Sequence, residues 1–342
     1  MICFAWGGFP QYAARCIGAF VDNTKEEVVV VATRPNVPIK GMEVLSRCPV
    51  YWVDMTDSQD IATIVGKIPR VLIVSGWCIH LFNRFRDEVR ANGGMVIAMV
   101  DNNYCFSFRE LLKSLRFRIF LNGRYDGFLV PGKSGERLLR FYGVAKDRIR
   151  KGLYAADETL FHCDIALTAR RKKMLFVGQL IERKNIVAFA AAFIRANVRH
   201  EWELDICGCG PLKELLPHNE SIHVYDFVQP EKLADIYASA RVFVLPSLEE
   251  HWGVVVHEAA LSGCVLLLSN RVGAMGDLLG QSNGYRFDPY SKDDMEQQIT
   301  RCMGMSDIEL QNAQKESLDL ARQISRKFFG QSVECLIRSR TS

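Results

Sequence analysis

The 342-residue chain lacks most of the features that would place it at a glance. No apolar run approaches the roughly 20 residues that span a bilayer. Its first residues, MICFAWGGFPQYAARC, carry no basic segment, and the apolar run stops at Gly7 and Gly8, so no signal peptide is read there. Both absences predict a cytoplasmic protein, free to lie against a membrane. Charge of one sign is scarce as well. A formal net charge of +4 is too mild for a nucleic-acid binder, yet it suits an anionic small ligand or an anionic membrane surface. The eleven cysteines are odd in number and irregular in spacing, which predicts reduced thiols and no disulfide framework. Cys207 and Cys209 flank Gly208 without the second pair that structural zinc needs. Also missing are a GxGxxG after a strand, a Walker A loop and a DxD pair; GCGPLK has Lys213 where the third glycine would stand. These gaps argue against NAD or ATPase chemistry and against a metal-bridged diphosphate.

What is present is a rhythm. Short β-branched runs alternate with longer helical patterns. In the first half they are 1–6, 27–33, 50–54, 71–75, 95–100 and 127–131; in the second, 173–178, 202–208, 221–228, 240–246, 264–269 and 284–289. Continuous apolar strands between amphipathic helices predict parallel sheets covered on both faces. The repeated order predicts an α/β chain of two doubly wound, Rossmann-like domains, 1–160 and 161–305, followed by a helical tail, 306–342. Polar, basic residues near 151–172 read as the linker. In the tail, Leu318, Leu320, Ile324, Phe328 and Phe329 are among the apolar positions of an amphipathic pattern.

Ligands of doubly wound sheets bind beyond the carboxyl ends of the strands. Gly7, Gly8, Gly178, Gly208, Gly210 and Gly253 all stand there. Each alone is read equally well as turn chemistry. Together they favour a phosphate-bearing ligand in the cleft between the domains, held by backbone N–H groups at helix starts. Without a metal, a diphosphate needs cationic side chains, and Lys184 stands near a helix start where its ammonium would reach one. On local grounds alone Lys184 reads as a solvated surface lysine.

Four segments in order resemble the retaining glycosyltransferases of family 4, which have the GT-B fold. They are FVGQLIERKN, LDICGCGPL, YDFVQPEKLADIYASARVFVLPS and EEHWGVVVHEAALSG, spanning about 174–290. The last is similar to the family's E-x7-E signature, with Glu250 and Glu258 as its ends. The first domain matches only in outline. The resemblance implies that Glu250 lies beside the donor sugar and Glu258 accepts hydrogen bonds from the ribose hydroxyls. The amides around Gly253, Val254 and Val255 would meet the diphosphate, and Lys184 would be its cationic partner. Val228 and Phe227 would line the base pocket, and the loop holding Gly8 would pass near the diphosphate or the acceptor. A loop followed by a helix start suits this division. Eight residues on one continuous helix would turn about 800° and leave the two carboxylates on different faces.

The chain departs from the family pattern in places. Gln179 stands where arginine is usual, and Asn185 where glycine is common. Asp101 and Asn102 replace a first-domain histidine near the reaction centre. Asp101 either binds an acceptor hydroxyl or caps the helix that follows. LLKSLRFRIF, 111–120, interleaves cations with leucine and phenylalanine. It reads as a membrane-surface face or as an ordinary half-buried helix. SGW, 75–77, ends a strand, where Trp77 lines the acceptor side or joins the core. The expectation is a metal-independent, retaining hexosyltransferase without a cofactor. Its donor is a nucleotide diphosphate sugar, and its acceptor a hydroxyl on a lipid-linked glycan in surface polysaccharide assembly at the inner membrane face. The rival expectations are a catalytically degenerate GT-B partner subunit and another GT-B enzyme, such as a nucleotide-sugar epimerase.

Overall fold

A computed structural model describes residues 1–35, 39–54, 60–104 and 108–339. They form two compact units, Met1–Ala155 with Ser325–Ser342, and Ala156–Ile324. The first holds a seven-stranded sheet of β1 (Ile2–Trp6), β2 (Val28–Ala32), β3 (Val50–Trp52), β4 (Val71–Ser75), β5 (Met95–Met99), β6 (Gly127–Val130) and β7 (Ile149–Lys151). Its order is β3-β2-β1-β4-β5-β6-β7. The second holds six strands, β8 (Lys173–Val177), β9 (Glu203–Cys207), β10 (Ile222–Tyr225), β11 (Val242–Leu245), β12 (Val265–Ser269) and β13 (Gly284–Phe287), in the order β10-β9-β8-β11-β12-β13. Every strand pairing in both sheets is parallel. The central strands β1, β2, β5, β8 and β12 are buried along their whole length, as strands covered on both faces must be.

All twelve apolar runs carry a strand, and a thirteenth, β7, ends on the first residue of the segment expected as linker. Its sequence, Ile-Arg-Lys, offers one apolar side chain to three positions. It pairs only with β6, at the sheet edge, where charged residues are tolerated and an apolar run is not needed. The tail also differs from a single helical segment. A helix at Asp307–Ala321 opens on a capping box made by Ser306 and Glu309 and belongs to the second unit. The chain breaks at Ile324, and Ser325 caps a new helix, Arg326–Arg338, which belongs to the first unit. There the Phe329 ring lies 6.1 Å from Phe4 of β1, and Ser332 Oγ donates to the Lys151 carbonyl at 2.6 Å. Phe329 thus completes the covering of the first sheet from more than 300 residues away in sequence.

Each sheet order reverses once, between β1 and β4 in the first unit and between β8 and β11 in the second. At such a reversal the connections leave to opposite faces, which opens a crevice beyond the strand ends. The ten cysteines among the described residues are free thiols; Cys105 lies outside them. No helix of the described residues is long and apolar enough to cross a membrane.

Candidate functional site

The reversal in the second unit brings the loop after β8 against the loop after β11. After β8 the chain runs through Gly178 into a short 3-10 turn, Glu182–Lys184, and then into the helix Ile186–Ala196. Asn185 joins the two with φ 55°. Asparagine is among the few non-glycine residues that accept this left-handed conformation, and its side chain donates to the Pro289 carbonyl at 3.1 Å. The substitution of asparagine for glycine therefore preserves the turn.

That turn buries Lys184 and directs its ammonium onto the carboxylate of Glu250. Glu250 is itself buried and accepts a further bond from Ser247 Oγ at 3.3 Å. Its backbone is fixed on both sides: the Glu250 N–H donates to the Arg271 carbonyl at 3.2 Å, and the Glu250 carbonyl accepts from Gly273 N–H at 3.0 Å. Arg183 adds a second cation, with Nη1 3.6 Å from Glu250 Oε1 and 2.8 Å from the Glu249 carbonyl. Sequence reasoning missed Arg183. Nothing in its spacing singled it out; its contacts depend on the loop after β11 lying against this turn. Gln179 therefore does not leave Lys184 as the lone cation here.

Three residues beyond Glu250, Gly253 takes φ 90° and starts the helix Val254–Leu261. A Cβ there would sit 3.2 Å from both Glu250 Cγ and a Leu245 methyl, so backbone conformation and space both require glycine. No side chain caps this helix, and Val254 and Val255 supply its first-turn amides. Such amides are donors without intrahelical partners, and they carry the positive end of the helix dipole.

Glu258 lies one turn further along this helix. The buried Tyr237 hydroxyl donates to Glu258 Oε2 at 2.9 Å and also lies 3.3 Å from the Val255 carbonyl. Burial pushes the Glu258 carboxyl up to about 7, against the opposing hydrogen bond from Tyr237. The helix is anchored by the intervening His257. Its Nδ1 accepts from the Ala156 N–H at 2.9 Å, and its Nε2 lies 3.0 Å from the Ala321 carbonyl. An acceptor at one nitrogen and a donor at the other define a neutral imidazole, and burial holds its pKa down to about 4. Tyr237 and His257 are further residues that spacing alone did not single out. Their roles depend on which distant groups the fold brings to them.

Gly208 and Gly210, candidates for close phosphate approach, are each required by a backbone contact. A Cβ on Gly208 would fall 1.8 Å from the Gly178 carbonyl oxygen, and one on Gly210 2.4 Å from that of Leu180. Bonds from Gly178 N–H to the Cys207 carbonyl (3.0 Å) and from Leu180 N–H to the Cys209 carbonyl (2.9 Å) zip the two loops together past the end of the ladder. Phe227 and Val228 are half-buried on the loop between β10 and the helix Pro230–Ser239. Among the described residues one group could hold a metal by proximity: Glu203, Asp205 and His223. Lys173 already stands in it, with Nζ 2.7 Å from Asp205 and 3.2 Å from Glu203. It lies on the strands themselves, apart from the loop that carries Glu250.

In the first unit, Gly8 has φ 64° and its N–H donates to Thr33 Oγ1 at 2.7 Å, while the Gly7 N–H donates to Ser75 Oγ at 2.8 Å. The first bond ties the loop to the end of β2 and the second to the end of β4, one on each side of β1. Asp101 follows β5 and accepts from the Tyr154 hydroxyl at 3.0 Å; Asn102 is exposed. The Tyr154 ring packs on Tyr12 and Trp6, at 5.2 and 6.2 Å. The helix that follows is described from Phe108, seven residues beyond Asp101. Trp77 is half-buried, 5.2 Å from the Phe117 ring.

Comparison with known proteins bears on the fold and on part of the chain. Residues 160–317 match the family described as glycosyl transferases group 1. An uncharacterised glycosyltransferase of Methanocaldococcus jannaschii is 28% identical over 166 residues, 46% of this chain and 43% of that protein. The chain thus matches less than half the length of that relative. Among solved structures, HepE of Anabaena, in complex with UDP and glucose, superposes with a TM-score of 0.76 at 13% identity. The match covers 99% of this chain and all of that one. Sucrose-phosphate synthase of Thermosynechococcus elongatus gives a TM-score of 0.76 at 15% identity, covering 100% and 99%. The two-sheet α/β architecture is the GT-B fold.

Proposed function

We propose that this chain, whose residues 160–317 form a glycosyl transferases group 1 domain, transfers a hexose from a nucleotide diphosphate sugar to a hydroxyl acceptor. The carrying observation is the pairing of buried Lys184 with Glu250 beside the uncapped helix start at Gly253. In this reading the diphosphate lies on the Val254 and Val255 amides and takes Lys184, with Arg183 behind it, as its cations. These supply the charge that a divalent metal would otherwise provide, and no metal or cofactor is invoked. Glu250, released from part of its ion pairing, aligns the sugar. Glu258 accepts the ribose hydroxyls. As the bond from the anomeric carbon to the diphosphate oxygen breaks, negative charge grows on the leaving phosphate. Fixed donors aimed at that oxygen lower the barrier without reorganising. The acceptor hydroxyl attacks from the same face and its proton passes to the leaving phosphate oxygen, which retains the anomeric configuration. Retention rests on the family 4 resemblance, as does an acceptor on a lipid-linked glycan.

The test is titration calorimetry with UDP, GDP and ADP. One of them binds, and Glu258 makes the binding pH-dependent. Ribose hydroxyls donate to a carboxylate and so favour its ionised form, which lowers the carboxyl from about 7 in the free protein. Binding near neutral pH therefore releases part of a proton, and affinity rises with pH through about 7. Buffers of different ionisation heat report that proton. Glu258→Gln loses the part of the release and of the pH dependence that exceeds what the nucleotide's own terminal phosphate, with a second pKa of about 6, contributes. No affinity for any of the three nucleotides would favour a non-catalytic partner subunit.

A further inference from the structure

The helix Phe108–Phe120 is attached to the first unit along a narrow strip, where only Ser114 and Phe117 are buried. Ser114 Oγ donates to the Phe141 carbonyl at 3.1 Å, and Phe117 packs on Tyr142 at 5.1 Å. Glu110, the one acidic residue of the helix, accepts from the Tyr142 hydroxyl through one oxygen and from Lys113 Nζ at 3.1 Å through the other. At about 100° per residue, Phe108, Leu112, Leu115 and Ile119 form a stripe roughly opposite the attached strip. Each is between 58% and 75% exposed. With Leu111 and Phe120, this one helix carries six of the thirteen large hydrophobic side chains exposed among the described residues. Such concentration is what marks an interaction face; scattered exposed leucines would not.

The flank of the stripe is basic. Lys113 and Arg116 project there, and Arg124 from the turn beyond joins them at the rim of a cavity of about 800 Å³. Trp77, Phe117 and Tyr142 line the same cavity. Aromatic walls below a cationic rim fit an anionic group attached to an apolar body. Lys113 shares its charge with Glu110 at 3.1 Å and Arg124 faces Asp87 at 3.8 Å, which leaves Arg116 as the cation of this flank with no carboxylate beside it among the described residues. An outward apolar stripe with a basic flank is the pattern of a helix lying in a bilayer interface.

We propose that this helix seats the protein on an anionic phospholipid surface, with Phe108, Leu112, Leu115 and Ile119 in the acyl boundary and the adjoining cavity receiving a phosphate head group. This deepens the reading of a lipid-linked acceptor and rests on it only for its purpose. Its test is independent of sugar transfer. The intact chain is co-sedimented with vesicles of phosphatidylcholine, with and without phosphatidylglycerol, over a range of salt. The bound fraction rises with the anionic lipid and falls as salt screens the cations. A Leu112→Glu, Ile119→Glu variant loses binding at least about tenfold. A Lys113→Glu, Arg116→Glu variant loses the preference for phosphatidylglycerol. Both keep the nucleotide affinity of the parent protein, which shows that they are folded. Failure of the parent to bind anionic vesicles at low salt overturns the proposal, as does undiminished binding by both variants. A concentration-dependent dimer abolished by Leu112→Glu also overturns it, because the face then belongs to a second copy. Vesicle binding without nucleotide affinity sustains this proposal and sinks the donor reading.

Discussion

Lys184→Ala lowers sugar transfer by about 10²–10³, the cost of removing one fixed donor from a developing oxyanion. The loss is large because Lys184 is buried, so its charge acts through little water. It also weakens nucleotide binding, since the diphosphate loses its nearest cation. The fold survives, because Arg183 still faces the carboxylate at 3.6 Å. Breaking a buried pair ordinarily costs about 3–5 kcal/mol, and the remaining guanidinium offsets part of that. Lys184→Arg recovers little, because a planar fork does not occupy the place of a compact ammonium. Steady-state rates and a thermal melt on the same sample check both parts. A folded Lys184→Ala variant with the parent rate would remove Lys184 from the site.

Glu250→Gln lowers transfer by about 10², but its binding signature is opposite in sign. Glutamine is isosteric and keeps the backbone bonds to Arg271 and Gly273. It frees Lys184 and Arg183 from their carboxylate, so two cations become available to the diphosphate. UDP affinity therefore holds or rises a few-fold while turnover falls, the behaviour of a residue whose work is on the sugar. A purely structural ion pair predicts the contrary: lowered stability in both variants, with turnover unaffected once folded. Parallel loss of UDP affinity in Glu250→Gln would place this carboxylate on the nucleotide instead of the sugar.

The inner strands of both sheets were legible because parallel strands buried on both faces are continuous apolar runs. The helix Ile186–Ala196 carries such a run too, and its greater length is what separates it from a strand. β7 was not, since two of its three residues, Arg150 and Lys151, are charged, which an edge accepts and an apolar-run reading passes over. The amphipathic pattern of the tail showed that Phe329 is covered, but not that Phe4 of the first unit covers it. In the site, Glu250, Glu258 and Lys184 stood out through their spacing and through resemblance. The contact between Lys184 and Glu250 depends on β8 and β11 being neighbours, which chain order does not state. Gly208 and Gly210 were visible as glycines at strand ends. Their reason, a carbonyl oxygen 1.8 or 2.4 Å from a would-be Cβ, needs the partner loop in place. Asp101 was singled out as a departure from the family pattern. Its Tyr154 partner sits in the stretch that reads as linker, so only the folded chain joins them.

The most direct measurement is a crystal structure with UDP bound. Diphosphate oxygens are expected within about 3 Å of the Val254 and Val255 amides and of the Lys184 ammonium, with the ribose hydroxyls on Glu258. UDP seated elsewhere, or failing to occupy the helix start at saturating concentration, would contradict the account.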